Sequence, residues 1–437
     1  LFQVKKGSSL FSFFNKHFDL QGHQTTWKNE VLAGITTFFT VVYIIAVNAF
    51  ILSDAGIPLE AGIVATILIS FIGCLIMGFW ANAPIALVPG MGINAFFSYT
   101  IVRSMGFSWE EALAVVFLSG ILFIVLTFTP VAGLLARSIP DSLKEAMTVG
   151  IGLYLTFIGL QKSGLVVPNP TTYIAMGDLG SLPVLLSISS LVITLFLFLR
   201  NVKGSFLISI IVNTLIVFAF GQLEPASESA GFSFASYLSV FGAMSFERIG
   251  TSLFWVAIFP LTMVIVFENM GILHSMVKPA KFKRSLQANG IVAMLSGVFG
   301  TSPTVSSVES TAGISAGGKT GLTAITTGIL FLFSIFFIPV VRYIPDSAIA
   351  PILIIIGSLM MTSVKGINFE DMSEGIPAFL IIVLIPFTSS IADGIAFGFM
   401  SYPLVKLAMG KLKEVPLPLM VISILFFINF VVLTLQT

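Results

Sequence analysis

Apolar residues run along the chain in blocks of about 20, separated by short polar interruptions, from residue 31 to residue 435. Wound as a helix at about 1.5 Å per residue, such a block spans the ~30 Å hydrocarbon layer of a bilayer. The blocks at 31–52, 59–80, 84–101, 110–136, 141–164, 182–199, 204–221, 251–276, 285–300, 304–318, 320–343, 346–363, 376–409 and 415–435 predict about 14 membrane segments. The block 376–409 is too long for one crossing. Interrupted by Pro386, Gly394 and Pro403, it predicts two helices, in the manner of two half-length ones meeting in a V. The fold class expected is an all-α integral membrane protein.

Composition agrees with that pattern. Hydrophobic residues make up 56% of the 437 and charged residues 9%, with a mean hydropathy of +1.04, whereas a soluble domain carries roughly a quarter charged residues. The net charge of +1 leaves no basic face for nucleic acid. One cysteine, Cys74, can form no intrachain disulfide, and three histidines draw no metal cluster. No Gly-rich nucleotide loop occurs, so no cofactor is expected. The first span, preceded by the segment 1–30, is not expected to be a cleaved signal peptide. Lys5, Lys6, Lys16 and Lys28, then Arg200 with Lys203, then Lys278, Lys281, Lys283 and Arg284, then Lys406, Lys411 and Lys413 fall on one face. The loop 222–250 on the other face carries Glu224, Glu228 and Glu247 against Arg248. The positive-inside bias places the N-terminus in the cytoplasm of a multi-pass cell-membrane protein.

A repeat is visible in the single sequence. Arg137-Ser-Ile-Pro-Asp-Ser142 recurs 205 residues later as Arg342-Tyr-Ile-Pro-Asp-Ser347, and the same shift places Gly152 on Gly357. Upstream, Gly120-Ile-Leu-Phe123 matches Gly328-Ile-Leu-Phe331, followed by Pro130 and Pro339. Seven spans separate the hexapeptides, so the copies lie inverted across the membrane, as in many secondary transporters. Locally each hexapeptide reads as a helix start, with Asp or Ser capping the first turn.

Two carboxylates sit deep in apolar spans, Glu268 and Glu309, where an ionised side chain is costly and marks function. The segments 84–101 and 304–318 are poor continuous helices. One carries Pro84, Pro89, Gly90 and Gly92 before Asn94; the other carries Pro303, a Ser/Thr run, then Gly313, Gly317 and Gly318. Both are third in their half. Paired broken spans in matching positions point to a substrate site near the midplane. Free backbone N–H groups, the Asn94 amide, the two acids and plentiful aromatic walls (43 Phe) suit a planar, uncharged ligand with donors and acceptors on its rim. Lys319 is expected to snorkel to the interface, and His274 to sit there.

These residues resemble the nucleobase cation symporter-2 superfamily, and most closely its azaguanine/hypoxanthine permease branch. The resemblance rests on Thr36-Thr-Phe-Phe-Thr-Val-Val-Tyr-Ile-Ile-Ala-Val-Asn48, on Gly90-Met-Gly-Ile-Asn-Ala-Phe-Phe-Ser-Tyr99, and on Gly300-Thr-Ser-Pro303 through Glu309-Ser-Thr-Ala-Gly313 to Gly317-Gly-Lys-Thr-Gly321. It implies a 7+7 inverted repeat, with spans 3 and 10 broken by short extended stretches. A core domain would occupy 31–136 and 251–343, and a gate domain 137–221 and 344–437; the segment 1–30 would be cytoplasmic and the loop 222–250 external. The resemblance places Asn94, Glu268 and Glu309 at substrate positions, and Gly92, Ser310 and Thr311 of the same motifs join them as candidates. Glu268 and Glu309 are the candidates for proton coupling. It also implies a purine base and protons as partners, the lipid bilayer as surroundings, and a homodimer through the gate. The chain departs from the branch at Phe267-Glu-Asn-Met-Gly271, where Phe-Asp-Thr-x-Gly is usual, and at Asn289, where Asp is common.

The function expected is purine uptake, of hypoxanthine, guanine or adenine, by proton symport with an elevator-like movement of core against gate. Another nucleobase (uracil, xanthine) or a small organic anion on the same fold is the alternative. An intramembrane hydrolase would need a base beside a nucleophile within a span, and the sequence offers none, so no catalytic residue is assigned.

Overall fold

The computed structural model describes residues 17–129, 138–222 and 234–436. Lys5, Lys6, Lys16, Pro130, Arg137, Glu224 and Glu228, together with most of the segment 1–30, lie outside the described residues. Nine helices among the described residues are long and apolar enough to cross a membrane, and three shorter apolar helices join them.

The chain opens with α1 (Trp27–Val41) and α2 (Ile44–Ser53), joined through the helical backbone of Val42 and Tyr43. Then come α3 (Leu59–Ile76), which ends in a π-helical turn, the strand β1 (Leu87–Pro89), and α4 (Met91–Ala95), which runs into a π-helix to Ser104. Next are α5 (Trp109–Phe128), α6 (Asp141–Lys162), the hairpin β2 (Val166–Asn169) and β3 (Tyr173–Met176), α7 (Leu182–Leu199), α8 (Ser205–Ala219) and α9 (Phe234–Leu238). The second half repeats the plan with α10 (Ser252–Met276), α11 (Pro279–Phe299), β4 (Thr304–Ser306), α12 (Ser310–Ser315), α13 (Gly321–Phe333) and α14 (Ile338–Val341). It closes with α15 (Asp346–Met360), α16 (Met372–Thr388), α17 (Ile391–Ala408) and α18 (Leu417–Gln436).

Helix starts follow local chemistry. Helix α11 begins six residues before its apolar block, at Pro279 in the first turn, where the fixed φ of proline suits a helix start. The long block 376–409 divides at Ser389, in left-handed backbone at φ 53°, and the Ser390 hydroxyl caps the Asp393 N–H at 3.2 Å. Its prolines stay inside the two helices instead of ending them. Gly394 lies against Ile385 and Gly398 against Ile381, so α16 and α17 form an antiparallel hairpin. The repeated hexapeptides start α6 and α15 as expected, but not by side-chain capping: Pro140 and Pro345 occupy the cap positions. Asp141 pairs with Lys144 at 2.8 Å instead, and Asp346 with Lys162 at 3.4 Å.

Two packing groups result. Helices α1–α3, α5 and α10–α13 interlock in one, while α6–α8 with α15–α17 form the other. The repeat-equivalent glycines meet inside the second group. A Cβ on Gly357 would fall 2.3 Å from the Gly152 carbonyl oxygen, and one on Gly152 would fall 2.8 Å from that of Gly357.

Candidate substrate-binding site

Both interrupted spans become extended where proline denies the helix its hydrogen bonds. Strands β1 and β4 pair antiparallel, with Leu87 opposite Ser306, Val88 opposite Val305 and Pro89 opposite Thr304. The ladder is continued by the Ser307 N–H to the Ala86 oxygen at 2.9 Å and the Gly90 N–H to the Pro303 oxygen at 3.2 Å. Helices then leave from both strands, and the first N–H groups of a helix have no partner within it. Gly90, Met91, Gly92, Ser307 and Val308 line a cavity of about 1120 Å³ at this junction.

The cavity lies between the two packing groups. From the first come Tyr43, Phe267, Glu268, Ser306, Glu309 and Thr311; from the second come Ile151, Phe198, Phe206 and Met360. Glu309 is firmly held: Tyr43 Oη donates to one carboxylate oxygen and Ser307 Oγ to the other, each at 2.6 Å. Tyr43 packs edge-on against Phe206, centroids 4.9 Å apart, and Phe206 stacks on Phe198 at 5.7 Å. Glu268 accepts no hydrogen bond from any described residue and faces the same space. Lys144 reaches the wall too, but is paired with Asp141 at 2.8 Å and lies 5.8 Å from the Phe267 ring centre.

The structure thus brings Glu268, Glu309, Gly92 and Thr311 to one cavity, with the Thr311 hydroxyl donating to the Val308 oxygen at 2.8 Å. Gly92 lies so near the second group that a Cβ there would fall 2.7 Å from Ile151 Cγ2. Ser310 and Asn94 do not line the cavity. Ser310 is buried and its hydroxyl accepts the Ala86 N–H at 2.9 Å, tying the two broken spans together. Asn94 is buried in α4, where Ser302 Oγ donates to its oxygen. Ser302 also lies 3.2 Å from the oxygen of Asn48, whose amide reaches Thr66 at 2.7 Å and Thr301 at 3.0 Å. Sequence reasoning missed Tyr43 and Ser307, although both stand in or beside the quoted motifs. The role of Tyr43 depends on a contact across 266 residues that no local spacing signals, whereas Ser307 stands two residues from Glu309 in the Ser/Thr run.

At one end the cavity reaches Asp141 and Glu145, in the first turns of α6. At the other end of that helix the groups are locked together. Lys162 pairs with Asp54 of the first group at 2.9 Å and with Asp346 of the second at 3.4 Å. Asp54 is itself held by Tyr99 Oη at 2.5 Å, and a second link across the groups runs from the Ile391 N–H to Thr100 Oγ1 at 2.9 Å.

The chain is similar to known proteins. A model of a permease family matches residues 28–397. A nucleobase transporter of Paenibacillus larvae is 49% identical over 86% of this chain and 77% of its own length. A guanine/hypoxanthine permease of Bacillus subtilis is 40% identical over 95% of this chain and all of its own. An adenine permease of Escherichia coli is 36% identical over 95% of both. Among solved structures, the transmembrane domain of a cyanobacterial bicarbonate transporter, BicA, superposes with a TM-score of 0.63 at 16% identity, covering 84% of this chain and 96% of that one. Murine Slc26a9 gives 0.65 at 12% identity, over 93% and 74%. The fold is therefore the 7+7 inverted repeat of these transporters, in a multi-pass membrane protein that is no enzyme. With a family model spanning most of its length and relatives at 40–49% identity, the chain belongs to the permease family of nucleobase cation symporters-2, in the azaguanine/hypoxanthine branch.

Proposed function

We propose that the chain imports purine nucleobases, of the hypoxanthine, guanine and adenine class, by proton symport. The observation that carries this reading is the cavity between the two broken spans, walled by aromatic rings and facing two carboxylates. Its volume lies just above the roughly 300–1,000 Å³ common for small-ligand pockets. Names of the aligned relatives point to the same cargo. Glu309, fixed by two hydroxyl donors, holds its carboxylate for a base N–H. Glu268, with no donor of its own, is the group free to exchange the coupled proton. Gly92 and Thr311 bound the base, while Ser310 acts on it through the Ala86 N–H it holds and Asn94 through its hydrogen bond with Ser302. Of the alternatives, an organic anion is disfavoured because the cavity's lysine is already neutralised by Asp141.

Movement follows from the two packing groups. The core (31–136 and 251–343) slides against the gate (137–221 and 344–437), carrying the site between two faces. With the N-terminus in the cytoplasm, the open end at Asp141 and Glu145 faces inward. Uptake of labelled hypoxanthine, guanine or adenine into membrane vesicles tests the reading. Saturable uptake, accelerated by an inward proton gradient and abolished by a protonophore, is expected. Glu309→Gln should lower it by at least roughly tenfold, since a charged acceptor is lost. Absence of purine uptake sinks the cargo assignment, and indifference to the gradient sinks the coupling.

A further inference from the structure

Two residues at which this chain departs from its branch, Asn269 and Asn289, converge on one serine of the cavity wall. The Ser306 N–H donates to Asn269 Oδ1 at 2.8 Å, and Asn289 Nδ2 donates to Ser306 Oγ at 3.0 Å. The orientation of the Asn289 amide is fixed independently of Ser306. The same Nδ2 lies 3.0 Å from the Ser285 carbonyl oxygen, and a carbonyl can only accept, so the atom there is the nitrogen. Asn269 is oriented in the same way, its Nδ2 donating to the Ile265 carbonyl at 2.8 Å.

The Ser306 oxygen is thereby an acceptor within the protein, and its own proton meets no acceptor among the described residues. A buried hydroxyl without an acceptor is uncommon. Ser306 is 1% exposed, yet it lines the cavity. The neighbouring polar groups do not take that proton: Glu309 is engaged by Tyr43 and Ser307, and no bond joins Ser306 to Glu268.

We propose that the Ser306 hydroxyl donates a hydrogen bond to an acceptor atom of the transported base, a ring nitrogen or an exocyclic oxygen, and that Asn289 sets this polarity from outside the cavity. The inference rests on the purine reading above and adds a specificity-determining contact to it. Asn289 is a positioning residue: fully buried and absent from the cavity wall, it acts only through Ser306. An acid at 289 would accept the serine proton and turn the donor away from the cargo.

Competition of labelled-base uptake by analogues that lack one acceptor at a time, namely the 1-deaza, 3-deaza and 7-deaza bases and a base without its exocyclic oxygen, tests the contact. In the unaltered protein, one analogue should compete roughly tenfold less well than its parent, the loss of one hydrogen bond to a donor left unpaired. That penalty should vanish in Ser306→Ala and in Asn289→Asp, and persist in Ser306→Thr, which keeps the hydroxyl. Penalties unchanged for every analogue in Ser306→Ala overturn the proposal while leaving purine transport intact. Should Ser306→Ala not reach the membrane, Asn289→Asp decides by the same comparison. If the unaltered protein takes up no purine, both readings fall together.

Discussion

On the proposed reading, the polar side chains around the cavity divide into those that meet the cargo and those that hold the ones that do. Tyr43 is of the second kind. Its hydroxyl holds Glu309 at 2.6 Å, and a hydrogen bond to a charged group contributes about 1.5–3 kcal/mol. Tyr43→Phe should therefore raise the KM for base uptake roughly tenfold with normal amounts of protein in the membrane. Glu30 is different: wholly buried, it accepts the N–H groups of Lys319 (3.0 Å) and Thr320 (3.2 Å) and the Thr323 hydroxyl (2.6 Å) at the start of α13. Glu30→Ala would strand those donors and should cost about 3 kcal/mol, read as a lower unfolding temperature in detergent. The sequence left Glu30 in the segment 1–30, outside the first apolar block, because charge usually marks the end of a span. Only the folded chain shows that residues near 320 supply its partners. Glu268 and Glu309 were legible for the converse reason, since no nearby residue could excuse an acid so deep in apolar sequence. Asn94 was also singled out, as an amide beside broken backbone. Which way such an amide points is set by Ser302, more than 200 residues away.

At the scale of elements, the apolar blocks mapped onto helices because length and hydropathy are local properties. The broken spans were legible through their prolines and glycines. Their antiparallel pairing, Leu87 with Ser306 through Pro89 with Thr304, was not, because strand register depends on a partner from the other half. Ser310 is the bolt of that junction, its hydroxyl accepting the Ala86 N–H. Ser310→Ala should destabilise the protein by about 1–3 kcal/mol, the penalty for a buried N–H left unsatisfied. The repeat seen in sequence has a packing counterpart in the contact between Gly152 and Gly357. A Cβ on Gly357 would also crowd Thr156 Oγ1 at 2.1 Å. Gly357→Ala must push α6 and α15 apart and should cost about 1–3 kcal/mol, measurable as a lower unfolding temperature.

For the molecule as a whole, the cavity is open toward Asp141 and closed toward Lys162. On the proposed movement, exchange of access requires the Lys162–Asp54 pair and the hydrogen bond from the Ile391 N–H to Thr100 to part. Lys162→Met should shift the population toward the opposite opening by roughly tenfold, the equivalent of about 1.4 kcal/mol. In a Cys74→Ser background, faster labelling of Thr100→Cys by a membrane-impermeant thiol reagent from the closed face would report it; an unchanged rate would show that the pair does not restrain opening. The glycine contact lies inside the second packing group. Residue 152 touches 357 and 357 touches 152, the reciprocity that defines the seam of a two-fold dimer. Here one polypeptide owns both sides of that seam, so a mutation alters a single side, which no homodimer permits. The flanks already differ, with Met360 crowding one glycine and Thr156 the other. Such freedom lets a doubled chain keep the geometry of symmetry while giving each half its own work.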